Sequence, residues 1–187
     1  MILIFMGPPG AGKGTQAIKV SARLGIPQIS TGDILREAMK NGSELGKKAR
    51  SFIDSGELVP DEVVTGIISN RINNEDAAGG FLLDGFPRTV EQADALNVML
   101  DSSGLSIDHV INLEVPDDTV RERLLKRAEI ENRSDDTKEV ITKRLENYHQ
   151  QTQPLVEYYK AKEKLLAIDG NGSLDEVNLR INSALGV

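Results

Sequence analysis

The chain is 187 residues long and carries a formal charge of −7, from 22 basic and 29 acidic residues. This length suits one globular domain with a sizeable core. The acidic balance excludes a broad basic field for nucleic acid, and no apolar run is long enough to span a membrane, so we expect neither partner. The absence of Cys excludes disulfides and thiolate zinc sites and agrees with a reducing, cytoplasmic location.

Short apolar runs alternate with segments of helical periodicity, a pattern that predicts βαβ units and a parallel sheet. Only 4% of the residues are aromatic, which favours an aliphatic core. The sequence therefore predicts an α/β fold with helices flanking the sheet. The predicted strands are residues 2–6, 28–30, 81–83, 110–113 and 165–168.

Several residues mark the boundaries of predicted helices. Pro60 and Asp117 each begin a segment whose apolar residues recur at helical spacing. Pro154 should interrupt the long helix that precedes it, because proline lacks a backbone N–H. Ser173 and Glu176 form a capping box that predicts the start of the last helix.

Two stretches depart from plain alternation of strands and helices. Residues 31–60 place small predicted helices and turns between the second strand and the Pro60 helix. Residues 127–137 are polar, with few apolar anchors, and lie between two predicted helices. A polar loop of this length is more often functional or disordered than part of a core, so it is a candidate lid.

A glycine-rich loop, Gly-Pro-Pro-Gly-Ala-Gly-Lys-Gly-Thr, runs from Gly7 to Thr15 between the first strand and a helical segment over 16–24. This context is the one that a phosphate-binding loop requires. Its glycines let the backbone turn tightly and approach a ligand, and the amides at the helix start favour an anion. Lys13 adds positive charge for the outer phosphates, and a nearby hydroxyl can face Mg²⁺.

A second polar cluster follows the third strand. Asp84 ends that strand, where the carboxyl ends of a parallel sheet face the ligand crevice, so it can hold Mg²⁺ directly or through water. Arg88 lies one turn further on and can grip a phosphate with its guanidinium fork. The Gln92 amide both donates and accepts, which suits the edge of an adenine base.

The basic residues near the polar loop form a further candidate group. Arg123 and Arg127 are four residues apart, so they share one helix face. Beside a phosphate loop in an acidic protein, we expect such residues to bind phosphate. The group consists of Arg121, Arg123, Lys126, Arg127, Arg133 and Arg144.

The stretch from Ser30 to Arg36, Ser-Thr-Gly-Asp-Ile-Leu-Arg, leaves two interpretations open. Thr31 and Asp33 can simply cap a helix. Arg36 can equally reach a second phosphate group.

Five motifs in this order resemble those of the adenylate kinase family, and the resemblance covers essentially the whole chain. The loop motif alone is specific only for a superfamily, but its hydroxyl follows Lys13 after an intervening Gly14, which is the spacing of this family. Asp-Gly-Phe-Pro-Arg is highly specific for nucleoside monophosphate kinases. The motifs are Gly-Pro-Pro-Gly-Ala-Gly-Lys-Gly-Thr, Ser-Thr-Gly-Asp-Ile-Leu-Arg, Gly-Glu-Leu-Val-Pro-Asp, Asp-Gly-Phe-Pro-Arg-Thr and Arg-Leu-Leu-Lys-Arg.

The resemblance implies a P-loop kinase fold, an α/β fold whose five-stranded parallel sheet is flanked by helices. It implies a core made of residues 1–29, 60–126 and 138–187, a helical AMP-binding insertion over 30–59 and a short lid over 127–137. The implied reaction is reversible, Mg²⁺-dependent transfer from ATP to AMP, giving two ADP, in adenine nucleotide homeostasis. Because the lid is short and Cys is absent, we expect no zinc. The expected state is a monomer.

The resemblance also assigns roles to individual residues. For ATP they are Gly10, Ala11, Gly12, Lys13, Gly14 and Thr15, with Arg127 and Gly172 beside the nucleotide. For AMP they are Thr31, Arg36, Glu57, Leu58, Val59, Gly85, Phe86, Pro87, Arg88 and Gln92, with Arg133 and Arg144 between the two nucleotides. The catalytic charges are Lys13, Arg88, Arg123, Arg127, Arg133 and Arg144, and the residues expected to hold Mg²⁺, partly through water, are Thr15 and Asp84.

Three other functions agree less well with these residues. A UMP/CMP kinase has the same fold, but that family tends to carry Ala and Asn where this chain has Thr31 and Gln92, so both positions favour adenine. A GTPase switch would need an Asn-Lys-x-Asp motif, which is absent from the chain. A plain ATPase would not need the AMP-site residues. The two histidines, His109 and His149, are interpreted as structural.

Overall fold

A wholly parallel, five-stranded sheet runs through the structure, a computed structural model that describes residues 1–131 and 136–187. The strand order is β2-β3-β1-β4-β5, which puts the first strand at the centre. The predicted α/β fold with a parallel sheet is therefore confirmed. The strands are β1 (Ile2–Met6), β2 (Gln28–Ser30), β3 (Phe81–Asp84), β4 (His109–Glu114) and β5 (Leu165–Asp169).

The central strand β1 supplies side chains to the cores on both faces of the sheet. Ile2 and Ile4 pack into one buried apolar cluster, and Leu3 and Phe5 pack into the other. This follows from the alternation of side chains along a strand, and it explains why the strand is apolar at every position. All five residues of the strand are buried.

Three strands are longer than predicted, each by one or two polar end residues. β3 extends to Asp84, β4 begins at His109, and the last rung between β4 and β5 pairs Glu114 with Asp169. The apolar pattern could not locate these ends, because backbone hydrogen bonds between strands continue to the end of the sheet, where the side chains are no longer buried.

Helices connect the strands and cover the sheet. Pro60 immediately precedes α4, and the helix before Pro154 is interrupted by a π-helical turn over Tyr148–Thr152, so both proline predictions are confirmed. The capping box of Ser173 and Glu176 is also present. The helices are α1 (Lys13–Leu24), α2 (Thr31–Lys40), α3 (Glu44–Ser55), α4 (Asp61–Ile72), α5 (Val90–Asp101), α6 (Asp117–Glu131), α7 (Lys138–Asn147), α8 (Pro154–Ala161) and α9 (Leu174–Leu185).

Helices α2 and α3 form a closely packed pair inserted between β2 and α4. Gly46 is what permits the close packing, because a Cβ at this position would overlap the carbonyl group of Ala38. The hydroxyl of Ser30 accepts a hydrogen bond from the amide of Asp33 at 3.2 Å and thus caps α2, so the interpretation of Thr31 or Asp33 as the cap is wrong. No described helix has both the length and the hydropathy needed to cross a bilayer.

Candidate active site

A cleft of about 620 Å³ opens beyond the carboxyl ends of β1 and β3. Its main walls come from the glycine-rich loop, the start of α2, the segment after α3, the segment between β3 and α5, and parts of α6 and α7. The sheet order makes this possible, because β1 and β3 are neighbours and their carboxyl ends lie side by side.

The glycine-rich loop forms one wall of the cleft. Gly10 and Gly12 have φ angles of +81° and +95°, which favour glycine, and a Cβ on Gly10 would lie 2.8 Å from Cγ of Leu124. Helix α1 begins at Lys13, so its unpaired amides and its dipole face the loop. The loop therefore has the geometry of an anion-binding site.

The Lys13 ammonium lies within this loop. Its Nζ donates to the carbonyl oxygens of Gly7 and Pro8 at 2.7 and 2.8 Å. Burial lowers the pKa of Lys13 to about 8, while the Asp84 charge opposes that shift and the Arg88 and Arg127 charges add to it. A phosphate would replace the two carbonyl groups as the partner and would favour the charged form.

Asp84 lies at the end of β3, against the loop. A Cβ built on Gly14 would be 3.4 Å from Oδ2 of Asp84, and Nε2 of Gln28 donates to the same oxygen at 3.4 Å. Burial raises the pKa of Asp84, and the charges of Lys13 and Arg88 oppose the shift. A carboxylate beside the loop that carries the Thr15 hydroxyl is a set of oxygen donors that suits Mg²⁺.

The Arg88 main chain is held at both of its polar groups. Its N–H donates to Oε1 of Gln92 at 2.7 Å, and its carbonyl accepts from the Thr152 hydroxyl at 2.8 Å. Its side-chain Nε donates to the Gly85 carbonyl at 2.9 Å, and the guanidinium stays accessible from the cleft. Desolvation in the cleft lowers the pKa of Arg88, and the charge of Asp84 opposes this shift. The two main-chain hydrogen bonds therefore fix the backbone from which the Arg88 guanidinium extends.

The Gln92 amide is 2% exposed and is bound at both ends. Its Oε1 accepts from Arg88 as described, and its Nε2 donates to Oδ1 of Asp61 at 2.7 Å. One N–H of Nε2 and one lone pair of Oε1 remain after these bonds. The amide therefore keeps one donor and one acceptor for a ligand.

The start of α2 borders the same part of the cleft. The hydroxyl of Thr31 donates to the Gly85 carbonyl at 2.9 Å, which ties the start of α2 to the segment after β3. Arg36 pairs with Asp33 at 2.6 Å, and both side chains are partly accessible. Arg36 lines the cleft, where a phosphate could compete for its guanidinium.

The segment after α3 meets α7 across the cleft. Nδ2 of Asn147 donates to the carbonyl of Gly56 at 3.0 Å and to Oε2 of Glu57 at 3.1 Å. Lys143 pairs with Oε1 of the same Glu57 at 3.1 Å. Leu58 and Val59 follow and line the cleft.

Three arginines of α6 and α7 face the loop from the opposite wall. Arg123 donates to the carbonyl oxygens of Ala11 at 3.5 Å and Gly170 at 3.2 Å. Arg127 and Arg144 both bind Asp136, whose side chain is fully buried. The opposite wall thus carries several positive charges within reach of anything bound at the loop.

Most of the residues assigned from the sequence line this one cleft. Arg133 lies outside the described residues. Ala11, Phe86 and Gly172 are not among the lining residues; Ala11 and Phe86 are buried in the two apolar cores, and Gly172 belongs to the turn before α9. Arg121 and Lys126, which belong to the basic group expected to bind phosphate, do not line the cleft either, and Nη1 of Arg121 donates to the Thr142 hydroxyl at 3.0 Å. The assigned residues that line the cleft are Gly10, Gly12, Lys13, Gly14, Thr15, Thr31, Arg36, Glu57, Leu58, Val59, Asp84, Gly85, Pro87, Arg88, Gln92, Arg123, Arg127 and Arg144.

Several polar residues that the structure places in the cleft, or in contact with residues that line it, were not singled out in the sequence. Asp61 and Asp136 are carboxylates whose partners are identifiable only in three dimensions. Asn147 ends α7 and Thr152 ends the π-helical turn that follows, so both come after the predicted lid. In the sequence, only their closeness to Arg144 could have suggested them. Gln28 is the first residue of the predicted strand over 28–30, so the argument from carboxyl ends that singled out Asp84 does not apply to it, and only its hydrogen bond to Asp84 identifies it.

Comparison with known proteins identifies relatives along the whole chain. The family model described as "Adenylate kinase" matches residues 5–164. An adenylate kinase of Leptospira biflexa is 55% identical over 175 residues, which cover 94% of each chain. Adenylate kinase 1 of a Nostoc species is 51% identical over 184 residues, 98% of each chain, and the enzyme of Caldicellulosiruptor bescii is 46% identical over an alignment of 214 positions that covers all of both chains.

Proposed function

The chain belongs to the adenylate kinase family, and from that premise we propose how its residues divide the work of the reaction. Its activity is that of an adenylate kinase: the γ-phosphoryl group of ATP passes reversibly to AMP and gives two ADP, with Mg²⁺. The observation that supports this assignment is the cleft, because the glycine-rich loop and a second set of residues suited to a phosphate and a base line it together.

We assign the donor nucleotide to the loop side of the cleft. The amides of Gly10 to Thr15 and the start of α1 are suited to the ATP phosphates, and Lys13 to the outer ones. Lys13 would exchange two carbonyl partners for phosphate oxygens, so it is already near the position it needs. Thr15 and Asp84 would hold Mg²⁺, in part through water, and the ion would supply charge neutralisation on the phosphates.

We assign the acceptor nucleotide to the opposite end of the cleft. Arg88 and Arg36 are suited to the AMP phosphate, since each presents a fork of N–H donors. Gln92 is suited to the adenine edge through the donor and the acceptor that its other bonds leave over. Thr31, Glu57 to Val59 and Gly85 to Pro87 complete this proposed site.

The chemistry follows from charge. The attacking group is a phosphate oxygen that is already anionic, so the reaction needs no general base. Two facing polyphosphates instead need positive charge, alignment and the exclusion of water. Lys13, Arg88, Arg123, Arg127 and Arg144 can supply that charge, and each such interaction can contribute about 3 kcal/mol at the transition state.

The alternative of a UMP/CMP kinase is not favoured, because both the family match and the named relatives are adenylate kinases. The domain boundaries, the lid over 127–137, the monomeric state and the cytoplasmic location stay predictions. The absence of zinc and the role of Arg133 also stay predictions.

The assignment of the acceptor site is tested by Arg88→Lys, which keeps the charge and removes the fork. We expect the KM for AMP to rise at least about tenfold while the KM for ATP changes little. Arg71→Lys is the control, since Arg71 also uses its guanidinium fork, in a bidentate ion pair with Asp76, but lies outside the cleft. An unchanged KM for AMP in Arg88→Lys would refute the assignment of the acceptor phosphate to Arg88.

The substrate class is tested in parallel by diphosphate formation from MgATP with AMP, CMP, UMP and GMP. Turnover with AMP far above the others is expected from the adenine ligands. Equal turnover of AMP and CMP would contradict the assignment of Gln92 to the base.

A further inference from the structure

A closed set of hydrogen bonds joins the start of α4 to the start of α5. Oδ1 of Asp61 accepts from Nε2 of Gln92 at 2.7 Å, and Oδ2 accepts from the Thr89 hydroxyl at 2.8 Å. The Thr89 oxygen accepts in turn from the Gln92 amide N–H at 3.1 Å, which caps α5. Gln92 and Thr89 are only 2% and 8% exposed, so water competes little for these bonds.

The donors and acceptors in this set allow only one orientation of the Gln92 side-chain amide. An ionised carboxylate only accepts, so Asp61 requires the NH₂ end of the amide. The Arg88 backbone N–H only donates, so it requires the oxygen end. Turning the amide over would set oxygen against carboxylate at one end and N–H against N–H at the other, and buried mismatches of this kind are costly.

We propose that Asp61 is a positioning residue for base selectivity, which fixes the Gln92 amide in the orientation that selects a 6-aminopurine monophosphate. The proposal rests on the assignment of Gln92 to the acceptor base. Asp61 itself touches no substrate; it acts through the amide, whose remaining N–H and lone pair face the ligand in fixed order.

The order matters because two kinds of purine present opposite patterns. A 6-aminopurine offers a donor at N6 and an acceptor at N1, whereas a 6-oxopurine offers an acceptor at O6 and a donor at N1. An amide in one orientation pairs with the first pattern, and the same amide turned over pairs with the second. Asp61 therefore selects against IMP and GMP by preventing the turned orientation, which is a repulsive contribution to specificity.

The chain offers an isosteric test. Asp61→Asn puts an amide in place of the carboxylate. The new side chain can donate a hydrogen bond to Oε1 of a turned Gln92 amide. The backbone N–H of Arg88 is then the remaining group of this set that disfavours the turned orientation. We expect kcat/KM for AMP relative to IMP to fall about tenfold, with a rise in the KM for AMP and little change in the KM for ATP. AMP and IMP differ at the 6-position and at N1, so the ratio reports on the amide.

The matched control is Glu62→Gln. Glu62 lies beside Asp61 in the first turn of α4, carries the same charge and is exposed, so its change alters the charge at the helix start without altering the network. We expect its ratio of AMP to IMP to equal that of the parent. If Asp61→Asn does not fold, Asp61→Ser replaces it, because serine also lacks an acceptor-only group.

A third variant, Gln92→Leu, separates failure of this proposal from failure of the site assignment. If Gln92→Leu loses AMP selectivity and Asp61→Asn keeps the parent ratio, Asp61 has no positioning role and the proposal is overturned. If Gln92→Leu itself leaves the KM for AMP and the selectivity unchanged, Gln92 does not read the base, and both the assignment and the proposal fail. A lower unfolding temperature with an unchanged ratio marks Asp61 as merely structural and also overturns the proposal.

Discussion

Arg127 and Asp136 form a bidentate ion pair in which Nε and Nη2 donate to the two carboxylate oxygens at 2.7 and 2.8 Å. Arg144 donates to one of the same oxygens at 2.7 Å. The Asp136 side chain has no exposed surface, whereas the two arginines remain partly accessible at 27% and 18%. One buried anion thus holds two cations at the wall of the cleft that faces the loop.

Replacing Asp136 with Asn should release these two arginines. Their like charges would then repel each other at short range, and breaking a buried ion pair typically costs about 3 kcal/mol of stability. We expect kcat to fall about 100-fold, because displaced charges no longer match the transition state, while the KM values for ATP and AMP change much less. Steady-state kinetics and denaturant unfolding measure both effects.

Asp118→Asn is the control for this change, since it removes an exposed carboxylate from the first turn of α6. It should leave kcat near that of the parent. A kcat in Asp136→Asn equal to that of Asp118→Asn would show that Asp136 does not position the arginines for catalysis.

The depressed pKa of Lys13 predicts proton uptake when MgATP binds. With a pKa of about 8 in the free protein, Lys13 is partly neutral at pH 8.5. Phosphate oxygens favour the charged form, so binding at this pH should raise the pKa and draw a proton from the buffer. Titration calorimetry in two buffers with different ionisation enthalpies measures the number of protons.

At pH 6.5 Lys13 is already charged, so its uptake should disappear there. In Lys13→Met the uptake at pH 8.5 should also be lost. If that variant takes up as many protons as the parent, the proton goes to another group and the interpretation is wrong.

The same shift sets the sign of a stability effect. The folded pKa of Lys13 lies below its unfolded value of 10.5, so the folded state is penalised below pH 8 and the penalty is relieved as the pH rises from 8 to 10.5. The free energy of unfolding of Lys13→Met at pH 7 should therefore exceed that of the parent by an amount on the order of 1 kcal/mol. The gain should shrink towards pH 10, and thermal unfolding at both pH values measures it.

The close packing of α2 on α3 predicts a selective effect of Gly46→Ala. The new Cβ would overlap the Ala38 carbonyl, so the two helices must separate. We expect a loss of about 2 kcal/mol of stability and a higher KM for AMP, with the KM for ATP unchanged, because α2 carries Thr31 and Arg36.

Gly66→Ala is the matched control, since Gly66 lies in α4 with nothing within 4 Å of the added Cβ. That change should stabilise the protein by about 0.5–1 kcal/mol, as alanine is the better helix former. Equal KM values for AMP in the two variants would contradict the link between this packing and the acceptor site.

His149 predicts a weak pH dependence of stability. Hydrogen bonds to Gln153 and Asp117 raise the pKa of His149 above 6.5. The contribution is thus fully present below pH 6.5 and is lost as the pH rises through the folded pKa. Because the pair is largely exposed, it should be worth less than about 1 kcal/mol.

His149→Gln should therefore lower the unfolding temperature at pH 5.5 and have almost no effect at pH 9. Asp117→Asn should remove part of the same difference. A His149→Gln effect that is equal at both pH values would mean that packing, not protonation, stabilises this contact.

The sequence predicted the sheet because burial on both faces leaves uninterrupted apolar runs, as in β1. It predicted the loop and Asp84 because both follow such runs, and the ends of neighbouring parallel strands meet. These inferences need only local pattern and the rule that parallel strands share a direction.

The carboxylates that organise the site could not be predicted in this way. Asp61 and Gln92 are 31 positions apart, and nothing in either motif indicates that one binds the other. Asp136 is one of two adjacent aspartates in a polar stretch, and composition does not say which acid will be buried. The cap of α2 was misassigned for a related reason, since neighbouring Ser30, Thr31 and Asp33 all have capping side chains and only geometry decides.

The strand order separates two routes by which the chain can be altered. The 30–59 segment leaves from β2, at one edge of the sheet, whereas α6 and α7 belong to the crossover from β4 to β5, the strand at the other edge. An outer strand is hydrogen-bonded to only one neighbouring strand. Lengthening the connection next to it therefore affects the hydrogen bonds on one side of that strand only. A graft at either margin can therefore leave β1 and β3 unchanged, but it must keep the contacts of Asn147 and Lys143 in α7 with Gly56 and Glu57, which join the two margins across the cleft.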